Sequence, residues 1–345
     1  MSEIPLEQPS ALNLKLHGSS GRFQVGSGIN KSLEVRYFLT NVGLALGKGA
    51  NDHLLTELAP VREVFRTDEL GFDELMQRDI DDARVSSELI PYLLDYRTAG
   101  LVKLFPPIIV MILPKAYGID RPLRLYPTVS EYTVQKPDYE ANILRIGQAG
   151  SELLTLEQPI HEGQLIDHDR VRLSLNTHAT RLVIVDGQHR AMALLAIFRN
   201  LQGQWSDTRK APYKDFYAEW TPEVIGDFQL ERVQLPMMLC FVPELNDESE
   251  QDFDLIRAAR RVFLTLNKTA RKVSVSRNRL LDDADIVAAF MRSTLETVKG
   301  RDPVDSSELR LWSIELDQTV DRVRIQSPTA LTGVGHIYYI VEHLM

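Results

Sequence analysis

The string Asp186-Gly187-Gln188-His189-Arg190 sets a carboxylate, a conformationally free residue, an amide, an imidazole and a guanidinium side by side. Arg190 offers a planar fork that matches phosphate oxygens, and His189 can donate to a phosphate or move a proton near neutral pH. Asp186 could hold a metal ion through water, orient His189 or cap a helix. Gly187 can take a backbone conformation closed to other residues, or let a ligand approach the main chain. Such a set suits anion binding and phosphoryl transfer, which need charge neutralisation and a positioned nucleophile more than covalent chemistry. In an ordinary strand-to-helix turn the same letters would be solvated polar residues.

The flanking residues supply the geometry. Residues 181–185 are apolar and β-branched and predict a strand, while 191–198 are rich in alanine and leucine and predict a helix. Strand, tight turn and helix start in that order leave free backbone N–H groups and the positive end of the helix dipole at the turn. Further strands are expected at 105–113 and 233–242, a strand or helix at 35–46, and helices over 72–94, 251–266 and 278–295, with Ser274 or Ser276 as a cap for the last. Residues 114–180 mix proline, tyrosine and charge and read as an insertion with a strand pair around 153–175. The first thirty-two residues, with Gly18, Gly21, Gly26 and Gly28, read as a turn-rich segment.

Composition narrows the class. The chain has 345 residues, 44% hydrophobic and 25% charged, which fits a globular protein of about two domains. Cys240 is the one cysteine, so no intrachain disulfide or multi-cysteine metal cage can form, and a reducing cytoplasm is the expected compartment. No apolar run reaches the roughly 20 residues of a membrane helix and no secretory leader is expected. The Gly43, Gly47, Lys48 and Gly49 spacing fails as a Walker A loop, no G-x-S-x-G element occurs, and the histidines lack H-E-x-x-H spacing.

The net charge of −9 argues against nucleic acid, but its distribution does not. Between Thr67 and Tyr96 nine acids face Arg78 and Arg84 alone, whereas Arg257 to Leu281 holds eight cations and no acid. Lys268, Arg271, Lys272, Arg277 and Arg279 could form a track for a DNA backbone. No aromatic residue interleaves with them, which argues against single-strand stacking. The competing reading pairs these cations with Asp79, Asp81 and Asp82.

The DGQHR string, followed by Ala191 and an apolar helix, resembles the naming signature of the DGQHR-domain family, which includes DndB- and DpdB-like proteins of DNA modification and belongs to the ParB/sulfiredoxin superfamily. Two further segments are similar to that family in order: Gln77-Arg78 with Arg84-Val85 upstream, and Phe263-Leu264-Thr265-Leu266-Asn267 with Ser274, Ser276 and 280–285 downstream. Together they span Gln77 to Asp285. The resemblance implies an α+β (or α/β) fold, a ParB/sulfiredoxin-like mixed-sheet core over 33–247 with an insertion at 114–180, and a C-terminal helical region over 248–345.

It also implies a nucleotide-binding, ATP-hydrolysing component of a DNA-modification or phage-defence system, using ATP or another NTP and Mg²⁺. The alternative is a DndB-like DNA-binding transcriptional regulator without turnover. Carried over by residue, His189 and Arg190 would contact phosphates beside Gly187, Gln188 would orient a phosphate or water, and Asp186 would assist Mg²⁺ or position His189. Gln77, Arg78 and Arg84 would complete the nucleotide pocket, and Asn267 would hold its loop or bind nucleotide. Sulfiredoxins carry their catalytic cysteine where this chain has Gln188, so sulfinic acid reduction is excluded. The expected partners are DNA and the modification enzyme of the same system. An amphipathic stretch at 340–345 leaves docking on the core or a homo-oligomer open.

Overall fold

The computed structural model describes residues 12–28, 31–45, 47, 50–65, 80–94, 104–115, 122–168, 170–247, 253–269, 285–299, 313–315 and 330–344. The chain divides into two compact units, Met1–Asn267 and Lys268–Met345. The division falls at 267/268 rather than at the expected 247/248.

The first unit is built on a mixed sheet. In chain order its strands are β1 (Leu14–Gly28), β2 (Lys31–Gly43), β3 (Leu58–Pro60), β4 (Ile108–Pro114), β5 (Val129–Gln135), β6 (Glu140–Gln148), β7 (Ser151–His161), β8 (Gln164–Leu165), β9 (Val171–Leu175), β10 (Thr180–Asp186) and β11 (Gln234–Phe241). They lie in the order β3-β10-β4-β11-β2-β1-β9-β7-β6-β5, with β8 on β7. β10 runs parallel to β3 and antiparallel to β4, and β4 is parallel to β11. The remaining neighbours, from β11 through β2 and β1 to β5, are antiparallel. Mixed α+β architecture is thus present.

Two expectations change. Within the segment 1–32 read as turn-rich, residues 14–28 form β1, a 15-residue strand. Leu14 and Leu16 alternate into the core, and Val25 is buried on the opposite phase, a signal broken by the glycines between them. The excursion at 114–180 is an antiparallel meander, β5 to β9, whose buried Leu144, Leu154, Leu156, Leu173 and Leu175 extend the same core. Strand β1 serves both halves: Leu14–Gly18 pair with β9, and Ser19 onward with β2. A strand that changes partner along its length turns a corner between sheet layers.

Helix α1 (Ala50–Glu57) leads into β3, and a short turn at Val61–Val64 follows. A helical segment at 82–94, here α2, runs as α-helix at Asp82–Arg84, π-helix at Val85–Leu89 and α-helix again at Ile90–Leu94. Helix α3 (Gln188–Gln202) has Ala191 through Phe198 buried without interruption. A helix apolar on all faces is found only inside a protein. β4 and β10 lie in its sheet, and residues 205–228 join α2 in enclosing it, with Trp205, Tyr217 and Ile225 buried. Helix α4 (Leu255–Thr269) overlaps the expected helix at 251–266 but starts at Leu255 and runs on to Thr269.

In the second unit, α5 (Ile286–Lys299) and α6 (Val334–Leu344) pack around Ala288, Met291 and Tyr338, joined by a two-stranded pair, β12 (Ile314–Glu315) and β13 (Thr332–Gly333). The expected helix at 278–295 is α5, and its candidate caps Ser274 and Ser276 lie outside the described residues. Among the described residues of this region, helix predominates beside the short β12–β13 pair.

A polar layer is buried against α3. Glu63 accepts two hydrogen bonds from Arg199, at 2.8 and 2.7 Å, with both side chains almost fully enclosed. Removing one partner of such a pair strands a buried charge and costs about 3–5 kcal/mol. Glu63→Ala should lower the unfolding free energy measured by urea denaturation by that amount, and adding Arg199→Met should recover much of the loss. If the double variant is no more stable than the single one, the pair is not what Glu63 contributes.

Candidate functional site

The site begins with a break in the β-ladder. β10 pairs with β4 in step from Thr180 to Ile184, and then the register shifts so that Asp186 falls opposite Ile109. The extra residue, Val185, makes a bulge, a device that re-aims the next side chain at the end of a strand. Gly187 follows with φ 76° and ψ 27°, in the left-handed region, and α3 starts at Gln188. The left-handed turn favours glycine, and a Cβ on Gly187 would lie 2.7 Å from Arg190 Nη2, so a side chain there would push aside the guanidinium folded over it.

Gly187 brings no side chain to the helix start, and α3 has no side-chain cap. The first α3 bond is donated by Ala191 N–H to Gly187 O at 2.9 Å, so the N–H groups of 188–190 head the helix. Arg190 Nη2 donates to Asp186 Oδ2 and to Pro107 O, both at a long 3.4 Å, and its Nε is buried with no partner. Gln188 is 8% exposed, and its Oε1 is also buried without a hydrogen bond. Buried polar atoms are normally satisfied, so two orphans within the first turn of one helix point to a group that binds there.

Asp81 N–H donates to His189 Nε2 at 3.1 Å. Nε2 is therefore unprotonated, and the neutral ring carries its proton on Nδ1. Asp81 is also the N-cap of α2, its side chain accepting from Arg84 N at 2.9 Å. The two distant family-like segments, DGQHR and the one containing Arg84, thus meet in a direct contact. The Arg84 side chain itself bonds Glu88 at 3.0 Å along α2. Asp186 pairs with Arg190, and the Asp81 main chain donates to the His189 ring.

Compared with protein-family models, curated proteins and solved structures, the chain finds no match. Its site is read from its own geometry.

Behind the turn, Arg62 donates to both Asp82 oxygens at 2.6 and 2.7 Å, and Tyr217 O–H donates to Asp82 Oδ1 at 2.5 Å. Burial opposes the Arg62 charge, but the bonds and charge of Asp82 outweigh it and raise its pKa. Burial, reinforced by Asp82, likewise pushes the Tyr217 hydroxyl up. Arg62 also lies 3.5 Å from the Tyr213 ring centre and touches Met192 Sδ at 3.8 Å on α3. The Asp82 oxygens are thus engaged from within the first unit, against the reading that reserved Asp82 for the basic stretch.

Asp186, Gly187, Gln188, His189, Arg190 and Arg84 are brought into one neighbourhood. Gln77, Arg78, Arg271, Lys272, Arg277 and Arg279 lie outside the described residues, and Asn267 and Lys268 fall near the end of α4. Among the described residues no three His, Cys, Asp or Glu side chains gather as a metal site. Mg²⁺ needs only one or two carboxylates beside phosphate and water oxygens, a demand Asp186 alone could meet. The Asp81 N–H escaped sequence reading, although an aspartate opening a helical run at Asp81 signals the N-cap. The partnership of Arg62 and Tyr217 with Asp82 leaves no local signal.

Gly187→Ala should cost about 1–2 kcal/mol through the left-handed turn alone and also displace Arg190. Equal stability of the variant by chemical denaturation would rule out the turn described. Cys240 is fully buried, which pushes its thiol up to about 12. Native protein at pH 8 should therefore react with iodoacetamide only on unfolding, as mass spectrometry would register.

Proposed function

We propose that the turn 186–190 binds the phosphates of a nucleotide, and that the chain is the nucleotide-binding, ATP-hydrolysing DGQHR-type component of a DNA-modification or phage-defence system. The observation that carries this reading is the uncapped start of α3, where backbone N–H groups, the folded Arg190 fork and the orphaned Gln188 amide converge beside Asp186. An anion at a helix N-terminus needs donors such as those main-chain N–H groups and the Arg190 fork, while Gln188 Oε1 is an acceptor for a water or hydroxyl beside it. The contact between His189 and the start of the Arg84 helix supports the ParB/sulfiredoxin-like reading, since it joins two of its three segments.

In this reading Arg190 and the 188–190 main chain neutralise phosphate charge. Gln188, whose buried oxygen seeks a donor, holds water or a ligand hydroxyl in line. His189 donates from Nδ1 in its neutral form. Mg²⁺, held by Asp186 and phosphate oxygens, would supply charge neutralisation at the transferring group. Lys268, Arg271, Lys272, Arg277 and Arg279 would follow a DNA backbone, with the modification enzyme as protein partner.

The second reading, a DndB-like DNA-binding regulator without turnover, is favoured by one feature. His189 Nε2 is occupied by the Asp81 N–H, so it serves as a base only if that contact opens. A phosphate that displaced the ring would then signal through α2 rather than react.

Hydrolysis of labelled ATP by the purified full chain, with and without DNA, separates the two. Turnover lost by about a hundredfold or more in His189→Ala and in Arg190→Ala fits the first reading. ATP binding with operator-specific DNA binding and no turnover fits the second. Unchanged hydrolysis in both variants would sink the site assignment. For the DNA track, log affinity should fall against log salt with a slope of about −0.9 for each phosphate contacted.

A further inference from the structure

A cleft of about 360 Å³ opens where β1 leaves β9 for β2, lined by Ser20, Arg22, Arg36, Glu131, Gln158 and Asp167, with Leu156 and Leu165 on its flanks. It is unrelated to the turn at Asp186: β1 stands four strands from β10, roughly 19 Å at ordinary strand spacing.

Its charges are arranged against expectation. Arg22 and Arg36 are direct cross-strand partners, and like charges so placed repel. Acids reconcile them. Glu34 accepts from Arg36 at 3.1 Å and from Arg22 at 3.5 Å, and Glu131 accepts two bonds from Arg36, at 3.3 and 3.2 Å. Asn142 adds a further donor to Glu131 at 2.7 Å. Burial alone would raise the Glu131 pKa, but these bonds and the Arg36 charge lower it, so the group stays a carboxylate. Arg36 is thereby committed to Glu34 and Glu131, which leaves Asp167 in the lining as a carboxylate that neither guanidinium engages.

The floor is fixed by Gln158, 7% exposed. Its Nε2 donates to Ser20 Oγ at 3.0 Å and to Asp167 Oδ1 at 2.7 Å. Both amide hydrogens are used, which locks the orientation and leaves Oε1 as the amide atom without a protein partner. The same loop is tied down where Ser20 N–H donates to Asp167 O at 2.7 Å. A locked carbonyl oxygen beside a carboxylate is a receptor for N–H donors, and the leucines beside it suit methylene groups.

We infer that this cleft binds a small organic cation, an alkyl ammonium or alkyl guanidinium, with its head on Gln158 Oε1 and the Asp167 carboxylate and its stem between Leu156 and Leu165. This site is separate from the nucleotide reading and does not depend on it.

Isothermal titration of the full chain with agmatine and with putrescine tests the proposal, with succinate and inorganic phosphate as anionic probes. One saturable site for a cation is expected, weakened at least tenfold in Asp167→Asn, which keeps the acceptor for Gln158 but removes the charge. Leu165→Arg, at a position 47% exposed, should block the mouth by repulsion without altering the melting temperature. Absence of saturable binding for both cations overturns the inference. So does tighter binding of succinate or phosphate, which would mean that Arg22 and Arg36 read the ligand. Cation binding indifferent to both variants would place it elsewhere and overturn it equally.

Discussion

A helix with apolar residues on every face can exist only where protein surrounds it, and α3 imposes that constraint on the first unit. The sheet, α2 and residues 205–228 are the walls it requires. Its polar ends must then be satisfied within a mostly apolar interior. Two adjacent residues on one short turn help to do this. Glu63 reaches Arg199 in the last turn of α3, where a cation is favoured by the dipole, and Arg62 reaches Asp82 at the start of α2. The turn at Val61–Val64 therefore ties the end of one helix to the beginning of another. Because Asp81 precedes Asp82, it also sets where the Asp81 N–H meets His189.

The C-terminal end of α3 is closed by ordinary means. Gly203 takes the left-handed conformation, and its N–H and that of Gln204 return to Arg199 O. The N-terminal end is not closed in this way. Its glycine supplies shape but no capping oxygen, and the nearby guanidinium and amide retain unmatched atoms. The two ends of one helix thus differ, the unmatched atoms of Gln188 and Arg190 lying at its N-terminal end.

Much of this was legible in the letters. The strand, glycine and helix around 186–190 fall where the periodicity and composition put them, because apolar β-branched and alanine-rich runs are local signals. The strand at β1 was not, since four glycines and scattered polar residues mask an alternation that only its partners β2 and β9 make meaningful. The bulge at Val185 and the Arg62–Asp82–Tyr217 set depend on contacts between segments far apart in the chain, which no local pattern encodes. The cleft was equally invisible, for Gln158 reads as one of many polar residues in a meander until Ser20 and Asp167 fix its amide.

The divided pairing of β1 has a consequence for the order of assembly. Its distal half can zip to β2 at once, because the two strands adjoin in sequence. Leu14 to Gly18 must wait for β9, whose residues follow more than 150 positions later. During synthesis at about 5–20 residues per second, the proximal half of the strand stays without its sheet for many seconds, its leucines uncovered. The strand that joins the two layers is thus among the first segments made and among the last to be paired.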